Sequence, residues 1–233
     1  MQIFWCLLVS MLGVTGGTDW CYKSQVSCEN KCKGPDEWKD IASTCGNKSQ
    51  SPVNIVTKRV VTNNLTSFRF QGYQHAFHSI ITNNGHTVKV NLSVLGFLYQ
   101  ESESANKKYE SIINALPNIT LPGNKSMLGP VSLDMLIPSH DTLMRYFRYK
   151  GSLTTPDCAE SVIWTVFENT VKLSKMQLSA FSDLRFENGT AMTETFRPVQ
   201  PLNGRDIFYS GSNTASVSTV LVVSTLIISF LTL

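Results

Sequence analysis

The sequence predicts a mainly β domain with a few helices packed on its outside, and two patterns lead to this fold class. Short runs of alternating or β-branched residues recur along the chain, with turn-forming residues between them. Only two stretches have the spacing of apolar residues that is typical of an amphipathic helix. About 190 residues separate the apolar ends of the chain, which is enough for one domain with its own core.

Five short runs are predicted as strands because they alternate in polarity or are rich in β-branched and aromatic residues. A turn is predicted after the third run, at Asn83-Asn84-Gly85, because this sequence favours a tight connection between strands. The five runs are residues 53–56, 67–70, 79–82, 144–149 and 161–167.

The longest run, residues 87–99, combines two kinds of strand. From residue 88 to residue 94 every second residue is apolar, which predicts a strand with one exposed face and one buried face. Residues 94–99 are almost continuously apolar, as in a strand that is buried on both faces. No turn residue separates the two patterns, and a single strand rarely exceeds roughly 10 residues. The run therefore predicts two strands that are joined directly near residues 92–94.

Two helices are predicted. The first covers residues 104–116. The second begins at a capping box, Ser174-Lys175-Met176-Gln177, in which the first and last side chains satisfy backbone N–H groups. Its apolar face carries Leu178, Phe181 and Leu184.

Both ends of the chain are predicted to be processed. Residues 1–17 have the apolar stretch and small residues of a secretory signal peptide. Residues 217–233 are uncharged and mostly apolar, and they follow a group of small residues that begins at Ser210. This order predicts a GPI anchor attached at Ser210, or at another residue within 210–213, with residues 211–233 removed, although a single transmembrane helix is the alternative. The mature domain then covers residues 18–210, on the extracellular face of the plasma membrane.

Glycosylation and disulfides are expected on this secretory route. The sequence has six Asn-X-Ser/Thr sites, which beside a signal peptide predict a cell-surface glycoprotein. Five cysteines follow the signal peptide, so one thiol is left over after pairing. The net charge of +3 is small and its basic residues are scattered, so nucleic acid is not a predicted partner. The six acceptor sites are Asn47, Asn64, Asn91, Asn118, Asn124 and Asn188.

Five short motifs together resemble the α-carbonic anhydrase family, in its GPI-anchored, disulfide-bonded branch. In chain order they are Gln50-Ser51-Pro52-Val53-Asn54-Ile55, Asn83-Asn84-Gly85-His86, Gly151-Ser152-Leu153-Thr154-Thr155-Pro156, Val162-Ile163-Trp164-Thr165-Val166 and Arg197-Pro198. The resemblance implies a twisted, mostly antiparallel central sheet. It also implies a zinc ion on three histidines, whose bound hydroxide attacks CO2 to give bicarbonate.

The resemblance assigns roles to individual residues. His86 matches the histidine that shuttles protons, although a turn histidine is the alternative, and Thr154 matches the threonine that orients zinc hydroxide. The substrate pocket is matched by apolar residues and one further threonine: Val94, Leu153, Thr155, Val162 and Trp164. Cys45 and Cys158 match a disulfide of the family. Cys21 is expected to pair with Cys32, or alternatively with Cys28.

The segment that carries the zinc ligands in the family is missing from this chain. In the family it lies between the strand after Asn-Asn-Gly-His and the strand Val-Leu-Gly-Phe, which are fused here at residues 92–94. Only four histidines are present, His75, His78, His86 and His140, and none forms a His-X-His pair. A catalytic zinc site needs three protein ligands.

We therefore expect a truncated family fold without a bound cofactor and with impaired activity. Two alternatives remain open. One is an active enzyme that acts on CO2 and bicarbonate with a substitute metal site drawn from the four histidines, among which His75 and His78 would be tested first. The other is a non-functional splice or prediction variant.

Overall fold

The structure is a computed structural model, and it describes residues 20–26, 31–63, 65, 71–83, 88–89 and 95–211. The predicted signal peptide, the junction at residues 92–94 and the predicted tail lie outside these ranges. No helix within the described ranges is long and apolar enough to cross a bilayer.

Short strands and shorter helices make up the described part of the chain. The strands are β1 Val61–Thr62, β2 Phe77–Asn83, β3 Val88–Lys89, β4 Tyr99–Ser102, β5 Lys125–Val131, β6 Tyr146–Gly151, β7 Val162–Phe167, β8 Val171–Ser174 and β9 Phe208–Ser210. The α-helices are α1 Trp38–Ile41, α2 Glu110–Ala115, α3 Leu133–Leu136 and α4 Lys175–Ser182. Six 3₁₀ turns are Lys23–Gln25, Ser43–Gly46, Thr57–Arg59, Lys107–Tyr109, Leu116–Ile119 and His140–Thr142. The predicted fold class, mainly β with a few helices, is confirmed.

The described strands form three sheets rather than one. One sheet has the order β1-β9-β6-β7, the second has the order β3-β2-β5, and β4 pairs with β8 in the third. Four of the six strand pairs are antiparallel, whereas β1 with β9 and β4 with β8 are parallel. The mostly antiparallel character that the family resemblance implies is present, but the described strands do not form one continuous central sheet.

Three of the predicted strands are confirmed and one is wrong. Residues 79–82 lie within β2, residues 144–149 overlap β6 with a shift of two residues, and residues 161–167 coincide with β7. Residues 53–56 are not a strand: Val53 makes a single bridge to Gln200, and no ladder continues from it. The predicted strand at residues 67–70 lies outside the described residues.

The long run 87–99 divides between sheets. β3 pairs with β2 as the second strand of a hairpin, with Asn83 opposite Val88, as the predicted turn requires. Gly96 makes a single parallel bridge to Val166, and a ladder to β8 begins only at Tyr99. The prediction of burial on both faces is wrong at the end of the run. Leu98 and Tyr99 are 56% and 52% exposed, because β4 has a neighbour in the described structure on one edge only.

Both predicted helices are present. The first begins later than predicted, as a helical stretch from Lys107 to Ile119 with α2 at its centre. The second is α4, and its capping box is formed: Ser174 Oγ accepts from Gln177 N at 3.3 Å, and Gln177 Oε1 accepts from Ser174 N at 3.1 Å. Leu184 is fully buried, and Leu178 and Phe181 pack against the main core.

The main core joins the amino-terminal region to the helices and to the β2–β5 pair. Trp38, Ile81, Leu116, Leu128 and Phe186 are among its fully buried residues. Two smaller clusters cover the two faces of the four-stranded sheet, one around Phe147 and Tyr149 and the other around Tyr146 and Phe167. This sheet carries the motif Val162–Val166 on β7, and the motif that begins at Gly151 starts at the end of β6.

Candidate functional site

Arg197 lies where the first and last of the five motifs meet. Its guanidinium donates to Gln50 Oε1 at 2.8 Å, to the Ser51 carbonyl at 3.1 Å and to the Cys45 carbonyl at 3.0 Å. It also lies over the Trp38 ring, 5.5 Å from the ring centroid. The side chain is 4% exposed, and burial lowers the pKa of Arg197 below its usual value. The arrangement is a buried structural network with no open side for a ligand.

Gln50 extends this network to the loop that carries the two threonines. Its amide nitrogen donates to the Thr44 carbonyl at 2.9 Å and to Glu160 Oε1 at 2.8 Å. The same carboxylate oxygen accepts from the backbone N–H of Ser49. Because Glu160 follows the threonine loop, these hydrogen bonds connect Ser49 and Gln50, at the beginning of the first motif, to the end of that loop.

Ser51 and Ser152 join the first motif to the end of β6. Ser51 N donates to Ser152 Oγ at 2.9 Å, and Ser152 N donates to Ser51 Oγ at 3.1 Å. The Tyr149 hydroxyl donates to the same Ser51 Oγ at 3.3 Å, and burial raises the pKa of Tyr149. Gly151 allows this close approach, since a Cβ there would lie 2.1 Å from Ser51 Oγ.

The threonine loop itself is short and strongly constrained. Leu153 N donates to the Ala159 carbonyl at 3.0 Å, and Cys158 N donates to the Thr155 carbonyl at 2.9 Å. Asp157 and Cys158 have positive φ angles of 82° and 43°, which is uncommon for residues with a side chain. The Cys45–Cys158 disulfide holds this strained turn against the amino-terminal region, as predicted.

The predicted substrate-pocket residues lie near one another along the sheet. Val162 and Trp164 are on one face of β7, and Trp164 Nε1 donates to the Ser152 carbonyl at 2.9 Å. Trp164 also stacks on Tyr149 with 6.4 Å between ring centroids. Thr154 and Thr155 are half-buried in the adjoining loop, and Leu153 is 40% exposed there.

These contacts bring the described pocket residues together but do not test their roles. Val94 and His86 lie outside the described residues. The proton-shuttle role of His86, the hydroxide-orienting role of Thr154 and the pocket role of Leu153, Thr155, Val162 and Trp164 remain predictions.

The described histidines do not form a metal site. His75 lies in a turn and His78 on β2, so the helical spacing that a substitute site would use is not present. His140 lies in a separate 3₁₀ turn, and all three side chains are exposed. Within the described ranges, no three His, Cys, Asp or Glu side chains are close enough to hold a metal ion. The residues described in this chain therefore do not fit a catalytic zinc ion.

The remaining predicted sites have definite places in the fold. Cys21 pairs with Cys32, so the alternative pairing with Cys28, which lies outside the described residues, is excluded. Ser210, the predicted anchor residue, is the last residue of β9 and is buried. Two of the predicted glycosylation sites, Asn64 and Asn91, lie outside the described residues. The other four are exposed: Asn47, Asn118, Asn124 and Asn188.

Sequence reasoning missed two residues that hold this region together. Glu160 accepts the bonds from Ser49 and Gln50 described above. Arg205 donates to the carbonyls of Lys150 and Gln50, at 2.8 Å each, and lies over the Tyr149 ring. Neither residue stands in a motif or a periodic pattern, so the sequence alone carried no signal for them.

Comparison with known proteins places this arrangement in a family. The sequence matches the family model described as eukaryotic-type carbonic anhydrase in two segments, residues 33–94 and 91–211. Carbonic anhydrase 4 of Oryctolagus cuniculus is 30% identical over 284 aligned residues, covering 90% of this chain and 91% of that protein. Carbonic anhydrase 15 of Mus musculus is 31% identical over 285 residues, covering 86% of each chain. Carbonic anhydrase 12 of Homo sapiens is 25% identical over 254 residues, covering 77% of this chain and 71% of that protein.

Proposed function

This chain belongs to the eukaryotic-type carbonic anhydrase family, and from that premise we propose that it is a cell-surface member whose zinc-dependent hydration of CO2 is impaired. In this proposal it is a glycoprotein held on the extracellular face of the plasma membrane by a GPI anchor. It keeps the framework around the threonine loop and lacks the three ligands that would hold zinc.

The proposal rests on the shortage of side chains that could bind a metal ion. The family reaction requires a metal ion with three protein ligands and one open position, where a bound water ionises near pH 7. The whole sequence has four histidines and no His-X-His pair. His75 and His78 occupy a turn and a strand, and neither has an acidic, cysteine or histidine cluster around it within the described structure. Without the metal, water at neutral pH remains a poor nucleophile.

The way in which the family similarity is interrupted supports a missing internal block. The two segments that match the family model meet at residues 91–94, where the sequence pattern also changes. The alignment with the rabbit protein runs over 284 positions, but 90% of the 233 residues of this chain is only about 210. About 70 aligned positions, the difference between 284 and 210, therefore have no residue in this chain.

The assignment to the secretory route is supported by several independent features. Both described disulfides are of the kind that persists in an oxidising compartment. The four described glycosylation sites are all exposed, so each can carry a glycan without disturbing the core. The apolar segment at residues 217–233, together with the small residues before it, supports the anchor.

The proposal is tested with protein secreted from mammalian cells without residues 212–233. We expect elemental analysis to find far less than one zinc per chain. We also expect stopped-flow measurements to show no CO2 hydration that a sulfonamide inhibits. Cooperative thermal unfolding of the same sample would show that the absence of activity is not due to an unfolded chain.

One zinc per chain together with sulfonamide-sensitive hydration would overturn the proposal. In that case His75→Ala and His78→Ala, compared with His140→Ala as a matched control, would identify a substitute site. Loss of zinc in the first two variants and its retention in the third would place the metal at His75 and His78.

A further inference from the structure

A cavity of about 530 Å³ lies on the four-stranded sheet, and Arg148, Lys150 and Ile163 are among the residues that line it. Side chains alternate between the two faces of a strand, so Ile163 on β7 points away from Val162 and Trp164. Lys150 on β6 pairs with Ile163, and Arg148 precedes it by two positions, so these three side chains share one face. The cavity has the volume of a small-molecule site and lies on the opposite face from those two predicted substrate-pocket residues.

Apolar side chains border this cavity on both sides of β6. Phe208 of β9 pairs with Arg148, and Ile163 of β7 pairs with Lys150. Neighbouring strands lie about 5 Å apart, so β9 and β7 are about 10 Å apart across β6. Phe208 is half-buried and Ile163 is 61% exposed, so much of their apolar surface is in contact with water. A flat apolar group placed between these two side chains would remove that surface from water, which is favourable.

Three cationic side chains line the same cavity, together with the single carboxylate of Asp206. Arg148 is fixed on the sheet, where its Nε donates to Thr165 Oγ1 at 3.3 Å. Arg205 is held at the edge of the cavity by neutral carbonyl oxygens, which leave its charge uncompensated. Within the described part of the chain, neither Lys150 nor Arg205 forms an ion pair. The cavity therefore has the positive charge that attracts a carboxylate ligand.

We propose that this cavity binds an aromatic carboxylate, with its ring between Phe208 and Ile163 and its carboxylate against Lys150 and Arg148. The apolar side chains account for the ring, and the cations account for the charge. An aromatic ring is favoured over an aliphatic group because ammonium and guanidinium groups are attracted to the face of a ring. The site uses neither a metal ion nor the anchor, so this proposal does not depend on the function proposed above.

Isothermal titration calorimetry with two probes of similar shape tests the need for a carboxylate. The full chain is expressed in mammalian cells and reconstituted in discs of neutral phosphatidylcholine, and empty discs serve as the blank. The probes are 1-naphthoate and 1-naphthylmethanol, which share a ring system and differ in charge. We expect saturable binding of naphthoate, at least about fivefold tighter than binding of the neutral alcohol. Added sodium chloride should weaken only the binding of naphthoate, because salt screens exposed charges.

Two pairs of variants locate the bound probe. Lys150→Gln removes one cation, and we expect it to weaken naphthoate binding about fivefold while binding of the neutral alcohol is unchanged. Its matched control is Lys125→Gln, because Lys125 is an exposed lysine on β5, in another sheet. Ile163→Gln removes an apolar contact and is expected to weaken binding of both probes. Its control is Ile80→Gln, since Ile80 is 54% exposed on β2. Both controls should bind the probes as the unmodified chain does.

Each of three results would overturn the proposal. The first is the absence of saturable naphthoate binding to the full chain. The second is equal affinity for the two probes, which would show that the cations do not select a carboxylate. The third is equal weakening by Lys150→Gln and Lys125→Gln, which would show that naphthoate does not bind at this cavity. None of these measurements involves zinc or CO2 hydration, so their outcome is separate from that of the activity measurements above.

Discussion

At the scale of single residues, Arg197 is a buried cation with no carboxylate partner among the described residues. Burying a charge is costly unless it is hydrogen-bonded. Here neutral oxygens of Gln50, Ser51 and Cys45 accept from two of its nitrogens, and the face of Trp38 lies against the guanidinium. Its Nε is the one buried side-chain nitrogen or oxygen atom without a hydrogen-bond partner among the described residues. Its role is to connect the amino-terminal region with the segment before β9.

Replacing Arg197 with methionine should therefore destabilise the protein even though the side-chain length is kept. Three oxygens would lose charge-assisted hydrogen bonds in a site that water cannot reach, and we expect a loss of about 3 kcal/mol in the free energy of unfolding. The matched control is Arg185→Met, because the Arg185 side chain is exposed and donates a long hydrogen bond, 3.5 Å, to the Gly189 carbonyl. Urea denaturation followed by tryptophan fluorescence would measure both variants. Equal effects of less than about 0.5 kcal/mol would contradict the structural role of Arg197.

Residue-level prediction succeeded where a pattern has a local physical cause. The capping box at Ser174 and Gln177 was predictable because it satisfies backbone groups three residues apart, and the antiparallel pairing of β2 with β3 is the pairing that the Asn-Gly sequence after Asn83 favours. The contacts of Glu160 and Arg205 were not predictable. They join residues more than 50 positions apart, and no sequence period reports such a contact.

At the scale of secondary-structure elements, the start of α4 also fixes the start of the helical stretch from Lys107 to Ile119. Gln177 Oε1 accepts from Asn106 N at 2.8 Å, and Gln177 Nε2 donates to the Asn106 carbonyl at 2.9 Å. Asn106 Oδ1 in turn accepts from Lys108 N at 3.1 Å, as the cap of the helical stretch that includes α2. One glutamine therefore serves the ends of two helices.

We expect Gln177→Ala to cost more than loss of an ordinary cap, about 2 kcal/mol, because it leaves the backbone N–H groups of Ser174 and Asn106 without acceptors. The control is Gln74→Ala, since Gln74 is an exposed turn residue for which a change below about 0.5 kcal/mol is expected. Chemical denaturation of both variants measures the difference. A cost for Gln177→Ala no larger than that of the control would show that the two helices are stabilised independently.

The errors in predicting strands have a common cause. A sequence pattern does not report how many other segments will pair with a predicted strand. Residues 53–56 are rich in β-branched residues, but only Val53 makes a bridge, to Gln200, and no ladder forms. Leu98 and Tyr99 belong to an apolar run, yet β4 has one neighbour in the described structure and leaves them exposed. Apolar composition favours burial, but the surrounding strands decide whether burial is achieved.

At the scale of the whole molecule, the β2–β5 ladder, the β1–β9 pair and the main core connect the two parts of the chain on either side of residues 92–94. Contacts between the motifs form a further junction. The motifs at Gln50 and Ser51 meet the loop after β6 and the segment at Arg197, and the Cys45–Cys158 disulfide reinforces this junction. The presence of this junction follows from motifs that the sequence displays. The division of the described strands into three sheets does not, because it depends on which strands come to lie side by side, and no sequence period reports that.

The two described disulfides should contribute unequally to stability. In the chain-entropy description a cross-link restricts the unfolded chain more when it closes a longer loop. The sequence separation is 113 for Cys45–Cys158 and 11 for Cys21–Cys32. These separations correspond to about 5 and about 3 kcal/mol respectively.

Guanidinium denaturation allows a direct comparison of two double variants, each of which removes one disulfide. The first is Cys45→Ala with Cys158→Ala, and the second is Cys21→Ala with Cys32→Ala. We expect the first pair to lower the free energy of unfolding by about 2 kcal/mol more than the second. Each pair is replaced as a whole so that no single thiol can form a new disulfide with Cys28. If the short-loop pair proved equally costly, the disulfides would stabilise the protein through local packing. The junction between the two parts of the chain would then depend on the hydrogen bonds around Arg197 and Ser51.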